Sequence, residues 1–319
     1  MRVGIILPQG WFGEFEGWDP IVAYERILAL ARLSADLGFE SIWTGEHVQS
    51  KWGGEQVLFD CVTLTTALAQ AVPGIDIGFL VLNSTFRNPA LTAKTASTID
   101  VISGGRLTLG LGAGFREDEY LAFGYDFPPI RERLMMLSDH LEIISRMVRQ
   151  DEPPVTYEGK YAKVENVINN PRGVQKPRIR LMIGGHGPNI TYRLAARYCD
   201  EINIDLMMED LPEGLAALRQ RCEEIGRDPA TLDLSAGIGP SMQWSGLKST
   251  GGQRMMRADE MAFVEPEKME HLPSRVEALQ QWREMGFARV MAGAPGLANT
   301  DETLHELKED CLEAGVDFN

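Results

Sequence analysis

Eight apolar runs of strand length alternate with eight amphipathic segments along the 319 residues, and this alternation predicts an α/β chain closed into a (β/α)8 barrel. Two further observations agree. The segment from Ile75 to Phe115 reads in full as strand, helix and parallel strand. The GxGxxG turn that a doubly wound open sheet carries after its first strand is absent, which demotes the main competing architecture.

The first strand is expected at Val3 to Leu7, followed by a loop from Pro8 to Pro20 that holds Trp11, Phe12, Phe15 and Trp18. Four aromatics in one loop either cover the end of the barrel, form a subunit contact or wall an apolar substrate space. A helix from Ile21 to Leu37 is capped by Gly38, and Glu40 to Trp43 is the second strand, ending in Thr44-Gly45-Glu46-His47. His47 has a structural and a catalytic reading, the latter favoured by the adjacent carboxylate just past a strand terminus. Asp60 to Ala71 is the second helix. Ile75 to Leu82 is the third strand, broken by Asn83 and Ser84, and Asn88-Pro89 starts a helix whose apolar positions Leu91, Thr95, Ile99 and Ile102 return at near-helical spacing. Ser103-Gly104-Gly105 stops that helix, and Arg106 to Leu111 is a fourth strand ending in Gly112-Ala113-Gly114.

Arg116 to Pro129 reads as an excursion, Ile130 to Arg149 as a long helix, and Val155 to Val164 as a β-hairpin around a Glu-Gly turn. Arg180 to Ile183 is the fifth strand, with Gly184-Gly185-His186-Gly187-Pro188 leading into a helix from Asn189 to Tyr198. Strands at Glu201 to Ile204, Leu232 to Ala236 and Arg289 to Ala292 complete the eight, with a helix from Leu211 to Gly226. One domain is expected, with insertions after strands four and seven, at 150–178 and 237–270. The second insertion, with Met242, Trp244, Gly251, Gly252, Met255 and Met256, is either a lid over the site or a surface insert.

A net charge of -15 excludes nucleic acid and anionic membranes as general partners, because both require a basic footprint. The four cysteines Cys61, Cys199, Cys222 and Cys311 form no CxxC pair, so a reduced cytoplasmic setting is expected, with neither zinc nor disulfides. Val3 to Leu7 is too short for the core of a signal peptide and reads as a strand.

In a barrel the site lies where strands end. No strand end offers a lysine for a Schiff base, the first strand has no histidine pair for a metal, and Glu46 and Asp205 lack the context of a glycosidase pair. What the strand ends offer is backbone. Gly112-Ala113-Gly114 and Gly184-Gly185-His186-Gly187 are tight turns or approaches to a large phosphorylated ligand.

The segments IILPQGWFG (Ile5 to Gly13), GFESIWTGEH (Gly38 to His47), FRNPALTAKTASTIDVISGGRLTLGLGAG (Phe86 to Gly114), AFGYDFPP with Arg133, and RLMIGGHGPNITYRLAARYCDEIN (Arg180 to Asn203) resemble the bacterial luciferase-like flavin oxidoreductase family. Within it they resemble the branch that uses the 5-deazaflavin coenzyme F-420, a flavoprotein-like group of TIM barrel enzymes. The resemblance covers most of the chain. It implies that His47 sits near the reactive ring as the proton partner, with Glu46 where the branch more often has Asp. It implies a bulge with a non-proline cis bond at Leu80-Val81 behind the ring, and Asn83 at the ring's polar edge. Gly112, Ala113 and Gly114 would line the coenzyme's side chain, and Gly184, Gly185, His186, Gly187 and Pro188 would hold its phosphate. Ala113 stands where some FMN-using members have Arg, which leans toward the deazaflavin, and Phe115 stands where a sugar-phosphate dehydrogenase of the branch has an acid. The implied reaction is hydride transfer with a small apolar substrate held by Trp11, Phe12, Phe115 and Trp244. The alternatives are an FMN-dependent two-component monooxygenase and a non-catalytic flavin-binding protein. Implied partners are a small-molecule substrate, a flavin or deazaflavin reductase and, by family analogy, a second copy in a homodimer.

Overall fold

Local signals in the sequence set most element boundaries. In the computed structural model, which describes residues 1–51, 54–237, 273–293 and 296–318, Asp19 caps helix α1 (Pro20–Asp36) by accepting from the Ile21 and Val22 amides, with Pro20 in the first turn. Asn88 does the same for α3 (Pro89–Ser103), which ends on Gly104 at φ 71°, a left-handed cap that costs glycine nothing.

The strands close into a barrel. β1 (Arg2–Ile6) lies between β2 (Ser41–Thr44) and β11 (Arg289–Ala292), and the order continues through β10 (Asp233–Gly237), β9 (Glu201–Asn203), β8 (Arg180–Gly184) and β5 (Leu107–Gly112). β5 pairs with both β3 (Asp76–Phe79) and β4 (Leu82–Asn83), and β3 returns to β2, so all eight barrel positions are parallel and the ring is shut. β3 and β4 are two halves of the third barrel strand. Gly78 pairs with Thr108 and Leu82 with Leu111, so four steps on one side match three on the other. The extra residue is a bulge at Leu80-Val81, and that peptide bond is cis.

Between β5 and β8 lie α4 (Glu117–Ala122), α5 (Ile130–Met147) and a hairpin, β6 (Val155–Glu158) with β7 (Lys163–Val167). Asp139 on α5 fastens the hairpin by accepting from the Tyr157 hydroxyl at 2.8 Å and the Tyr161 amide at 2.7 Å. The outer helices are completed by α2 (Cys61–Ala71), α6 (Thr191–Tyr198), α7 (Leu211–Glu223), α8 (Arg275–Glu284) and α9 (Glu302–Glu313). Among the described residues no helix is long and apolar enough to cross a membrane, and all four cysteines are buried and unbridged.

The barrel interior is filled from the bottom upward. Trp43, Met182 and Met291 form its centre, with Ile6, Leu80 and Val81 packed on top. The indole fits because Gly4 and Gly78 flank it: a Cβ on Gly78 would lie 2.1 Å from Trp43 Cζ3. Below Trp43 the Arg289 guanidinium lies 5.2 Å from the ring and bonds Glu40 at 2.6 Å and Glu201 at 2.5 Å. Arg180 and Arg2 tie Glu201, Glu40 and Asp233 into the same charged floor. The floor is thus closed, and the strand C-termini form the mouth.

Two helices differ from the sequence reading, and one insertion is not described. The inward face of α3 is Thr92, Ala93, Ala96, Ile99 and Ser103, while Leu91 and Ile102 are exposed; small residues pack onto neighbouring helices and push the larger ones outward. Helix α6 starts at Thr191, so Asn189 and Ile190 fall in a turn before it instead of forming its first residues. The 237–270 insertion, with Trp244, lies outside the described residues apart from Gly237.

Candidate active site

The mouth is built on the bulge. The Leu80 amide donates to Thr44 O at 2.7 Å and the Glu46 amide to Val81 O at 3.2 Å, locking the bulge to the loop that carries His47. Val81 leans over the ends of β5 and β8: Cβ atoms on Gly112 and Gly184 would lie 2.6 and 3.1 Å from its methyl groups. Gly237, at the end of β10, likewise lifts no side chain beside Leu80. Three strands therefore end in glycine around Leu80 and Val81, which leaves a low apolar platform in the mouth.

Glu46 is buried and engaged away from that platform. Its Oε2 accepts from the Asn83 amide at 2.7 Å and its Oε1 from Arg87 Nε at 2.7 Å. Burial pushes its pKa up, and Arg87 and the Asn83 amide pull it back. It fixes the strand-two loop against the third strand, so the sequence expectation of a catalytic carboxylate finds it in a positioning role. Ligand atoms of Glu46, Asp60 and Cys61 converge within 4.8 Å, but the Arg87 guanidinium already bonds both carboxylates, so this group has its cation.

His47 has a different partner. Its Nδ1 lies 3.0 and 3.2 Å from the two oxygens of Glu119, a carboxylate 2% exposed on α4. Trp11 stacks flat on the imidazole at 3.6 Å with the planes 4° apart, and Phe115 meets both rings edge-on. Phe12 leans on Trp11 at 4.2 Å. Burial lowers the His47 pKa, opposed first by Glu119, so the ring is neutral near pH 7. The four aromatics of the first loop divide: Trp11 and Phe12 stand at the site, while Phe15 is wholly buried and Trp18 packs on it at 5.5 Å.

Asn83 Oδ1 accepts from Thr85 N at 3.2 Å and Thr85 Oγ1 at 2.8 Å, and from the Tyr120 hydroxyl at 2.9 Å. Its carbonyl is therefore engaged within the protein, and the amide Nδ2, 2.6 Å from where a Gly114 Cβ would sit, is the end left for a ligand. The Tyr120 hydroxyl also lies 3.3 Å from Ala113 O, so α4 is anchored to the turn after β5. In the fifth-strand turn the Gly185 amide already bonds Asn203 O, and Gly185 takes φ 127°. Gly187 sits tight on Thr191, whose Oγ1 is 3.0 Å from a Cβ placed there, while His186 and Pro188 are exposed.

Glu119 and Tyr120 escaped the sequence reading because they fall in the segment taken as an excursion. The signal was there: an acid and an aromatic follow the glycine turn of a barrel strand, where site residues concentrate. Gln9 was also missed. Its Oε1 accepts from the Gly45 amide at 2.7 Å, and its Nε2, like Trp11 Nε1, is a buried donor without an acceptor among the described residues.

A closed parallel barrel with a histidine-carboxylate pair over an apolar platform at its mouth defines the class as a barrel enzyme. A model of the luciferase-like monooxygenase family matches residues 1–244, and the chain belongs to that family. The chain is 26% identical over 303 residues to the F420-dependent glucose-6-phosphate dehydrogenase of Microbacterium testaceum, covering 85% of this chain and 88% of that one. It is 26% identical over 221 residues to the 5,10-methylenetetrahydromethanopterin reductase of Methanopyrus kandleri, covering 66% and 60% respectively. Its fold matches an F420-dependent secondary alcohol dehydrogenase, solved with an F420-acetone adduct, at a TM-score of 0.76 with 19% identity over 98% of both chains.

Proposed function

We propose that this chain is a coenzyme F-420-dependent oxidoreductase that moves a hydride between the deazaflavin and a small, largely apolar organic substrate. The observation that carries the reading is the platform: a bulge at Leu80-Val81 among three glycine-ended strands suits a flat ring, with His47 at its border. The relatives' dependence on F420 supports the choice of coenzyme. Leu80 and Val81 would back the ring, Asn83 Nδ2 would meet its polar edge, and Gly112 to Gly114 and Gly184 to Pro188 would hold its tail. When bound, the coenzyme supplies two-electron hydride chemistry. Trp11, Phe12 and Phe115 exclude water from the opposite side, and His47 takes or returns the substrate's proton. Phe115 offers no charge to a phosphorylated sugar, so the substrate proposed here is not that of the glucose-6-phosphate dehydrogenases.

The test is binding of oxidised coenzyme F-420 and of FMN titrated side by side. Tighter binding of the deazaflavin is expected; a clear preference for FMN favours the two-component monooxygenase and overturns the reading.

A homodimer is the partner we propose, through the outer faces of α2 and α3. α2 contains no charged residue, and α3 only Lys94, which donates to Asn170 O, and Asp100, which is buried and accepts from the Val174 amide. In a chain with 46 acids and 31 bases, such a face is suited to a second copy, since its like charge is absent there. A cavity of about 150 Å³ beside Val62, Phe86 and Leu91 could receive the partner's side chains. Light scattering on the native chain and on Leu91→Lys tests this: a dimer converted to monomer is expected, and a monomeric native chain refutes it.

A further inference from the structure

Glu119 is a carboxylate 2% exposed, 72 positions from the histidine it meets, and nothing in the proposed hydride transfer requires a second acid. Both its oxygens lie within hydrogen-bond distance of one atom, His47 Nδ1. A carboxylate accepts, so Nδ1 must carry the hydrogen. The other ring nitrogen, Nε2, makes no hydrogen bond among the described residues. The Cδ2 side of the ring faces the Gly45 backbone, which also neighbours Leu80 O: a Cβ on Gly45 would lie 4.0 Å from His47 Cδ2 and 3.1 Å from Leu80 O. Trp11, stacked at 3.6 Å, prevents the ring from turning out of this plane.

We infer that Glu119 is a positioning residue that fixes His47 as the Nδ1-H tautomer, so that Nε2, the ring nitrogen left without a protein partner among the described residues, is the atom that exchanges a proton with the substrate. In this arrangement the Nε2 lone pair accepts the substrate's proton while the other hydrogen stays on Nδ1, donated in a hydrogen bond to Glu119, and the reverse reaction returns the substrate's proton from Nε2. The other charged groups near the ring, Arg116 and Asp118, bond each other at 2.7 Å and largely cancel, so Glu119 is the acid that bears on His47. The device is placed where it can be held still. α4 is a short helix, and the Tyr120 hydroxyl pins it to Asn83 and Ala113. Arg133 reinforces the segment that follows, stacking on Phe127 at 3.9 Å and bonding Pro128 O. The functional meaning rests on the reading of His47 as proton partner, but the tautomer itself is a property of the protein alone.

The experiment is long-range proton-nitrogen NMR of the histidine rings in the protein without added coenzyme, His47 being assigned by the signal lost in His47→Gln. In the native chain at neutral pH, Nδ1 is expected to show the shift of a protonated nitrogen and Nε2 that of an unprotonated one. Glu119→Gln keeps an oxygen for Nδ1-H, so the tautomer should persist while the pKa of His47 falls below the native value, because the negative charge is gone. Glu119→Leu should lose the single tautomer and show averaged shifts for both nitrogens. An unprotonated Nδ1 in the native chain overturns the inference, as does an unchanged His47 pKa in Glu119→Gln. Should Glu119→Leu fail to fold, the native tautomer and the near-isosteric Gln variant still decide. Since no coenzyme is present, a preference for FMN in the titration above would sink the proposed function and leave this result standing.

Discussion

Acid should destabilise this protein in large part through one histidine behind the site. His140 on α5 is 6% exposed, with the Ser84 backbone and Asp139 as its polar neighbours, and burial depresses its pKa from 6.5 to about 4. Asp139 offsets little of this, since its carboxylate already serves the hairpin. Between these two values the unfolded chain binds the proton and the folded one does not. Stability therefore falls as pH drops through 6.5 and the loss is complete below about 4. The full shift corresponds to about 3 kcal/mol, of which about 2 kcal/mol has gone by about pH 5. Urea unfolding of the native chain and of His140→Gln at a series of pH values isolates the effect, because carboxylates common to both cancel in the difference. The native chain should lose about 2 kcal/mol more than the variant between about pH 7.5 and about pH 5. Parallel pH profiles for the two proteins would refute the reasoning.

Other outcomes follow from the same geometry. Arg289→Met leaves Glu40 with Arg2 and the fully buried Glu201 with Arg180 as their remaining guanidinium partners and should cost up to about 3–5 kcal/mol in chemical denaturation. Gly112→Ala forces a methyl to within 2.6 Å of Val81, so coenzyme affinity should fall at least about tenfold by titration, with destabilisation held to about 1–3 kcal/mol. Trp11→Ala removes the stack on His47 and one wall of the substrate space; it should impair turnover while leaving the thermal midpoint nearly unchanged, since Trp11 lies on a loop outside the core.

The sequence by itself determined what depends on near neighbours. Caps such as Asp19-Pro20 and Asn88-Pro89, the stop at Gly104, the strand runs and the glycines that end them act within a few residues, and together they specify eight strand-helix units. Closure follows, because parallel strands with right-handed crossovers in that number form a ring. The motifs also marked His47 and the glycine turns, and the family resemblance they carry implied the bulge at Leu80-Val81.

Only the tertiary structure decided what depends on juxtaposition. It brought Glu119 to His47 across 72 residues and turned Glu46 away to Arg87. It divided the first-loop aromatics between site and core, and turned Leu91 and Ile102 outward because Ala93, Ala96 and Ser97 let neighbouring helices approach α3 closely. Periodicity identifies a helix face only where large and small residues do not compete for the inside, and a carboxylate's partner is set by the distance between loops that local propensity leaves undetermined.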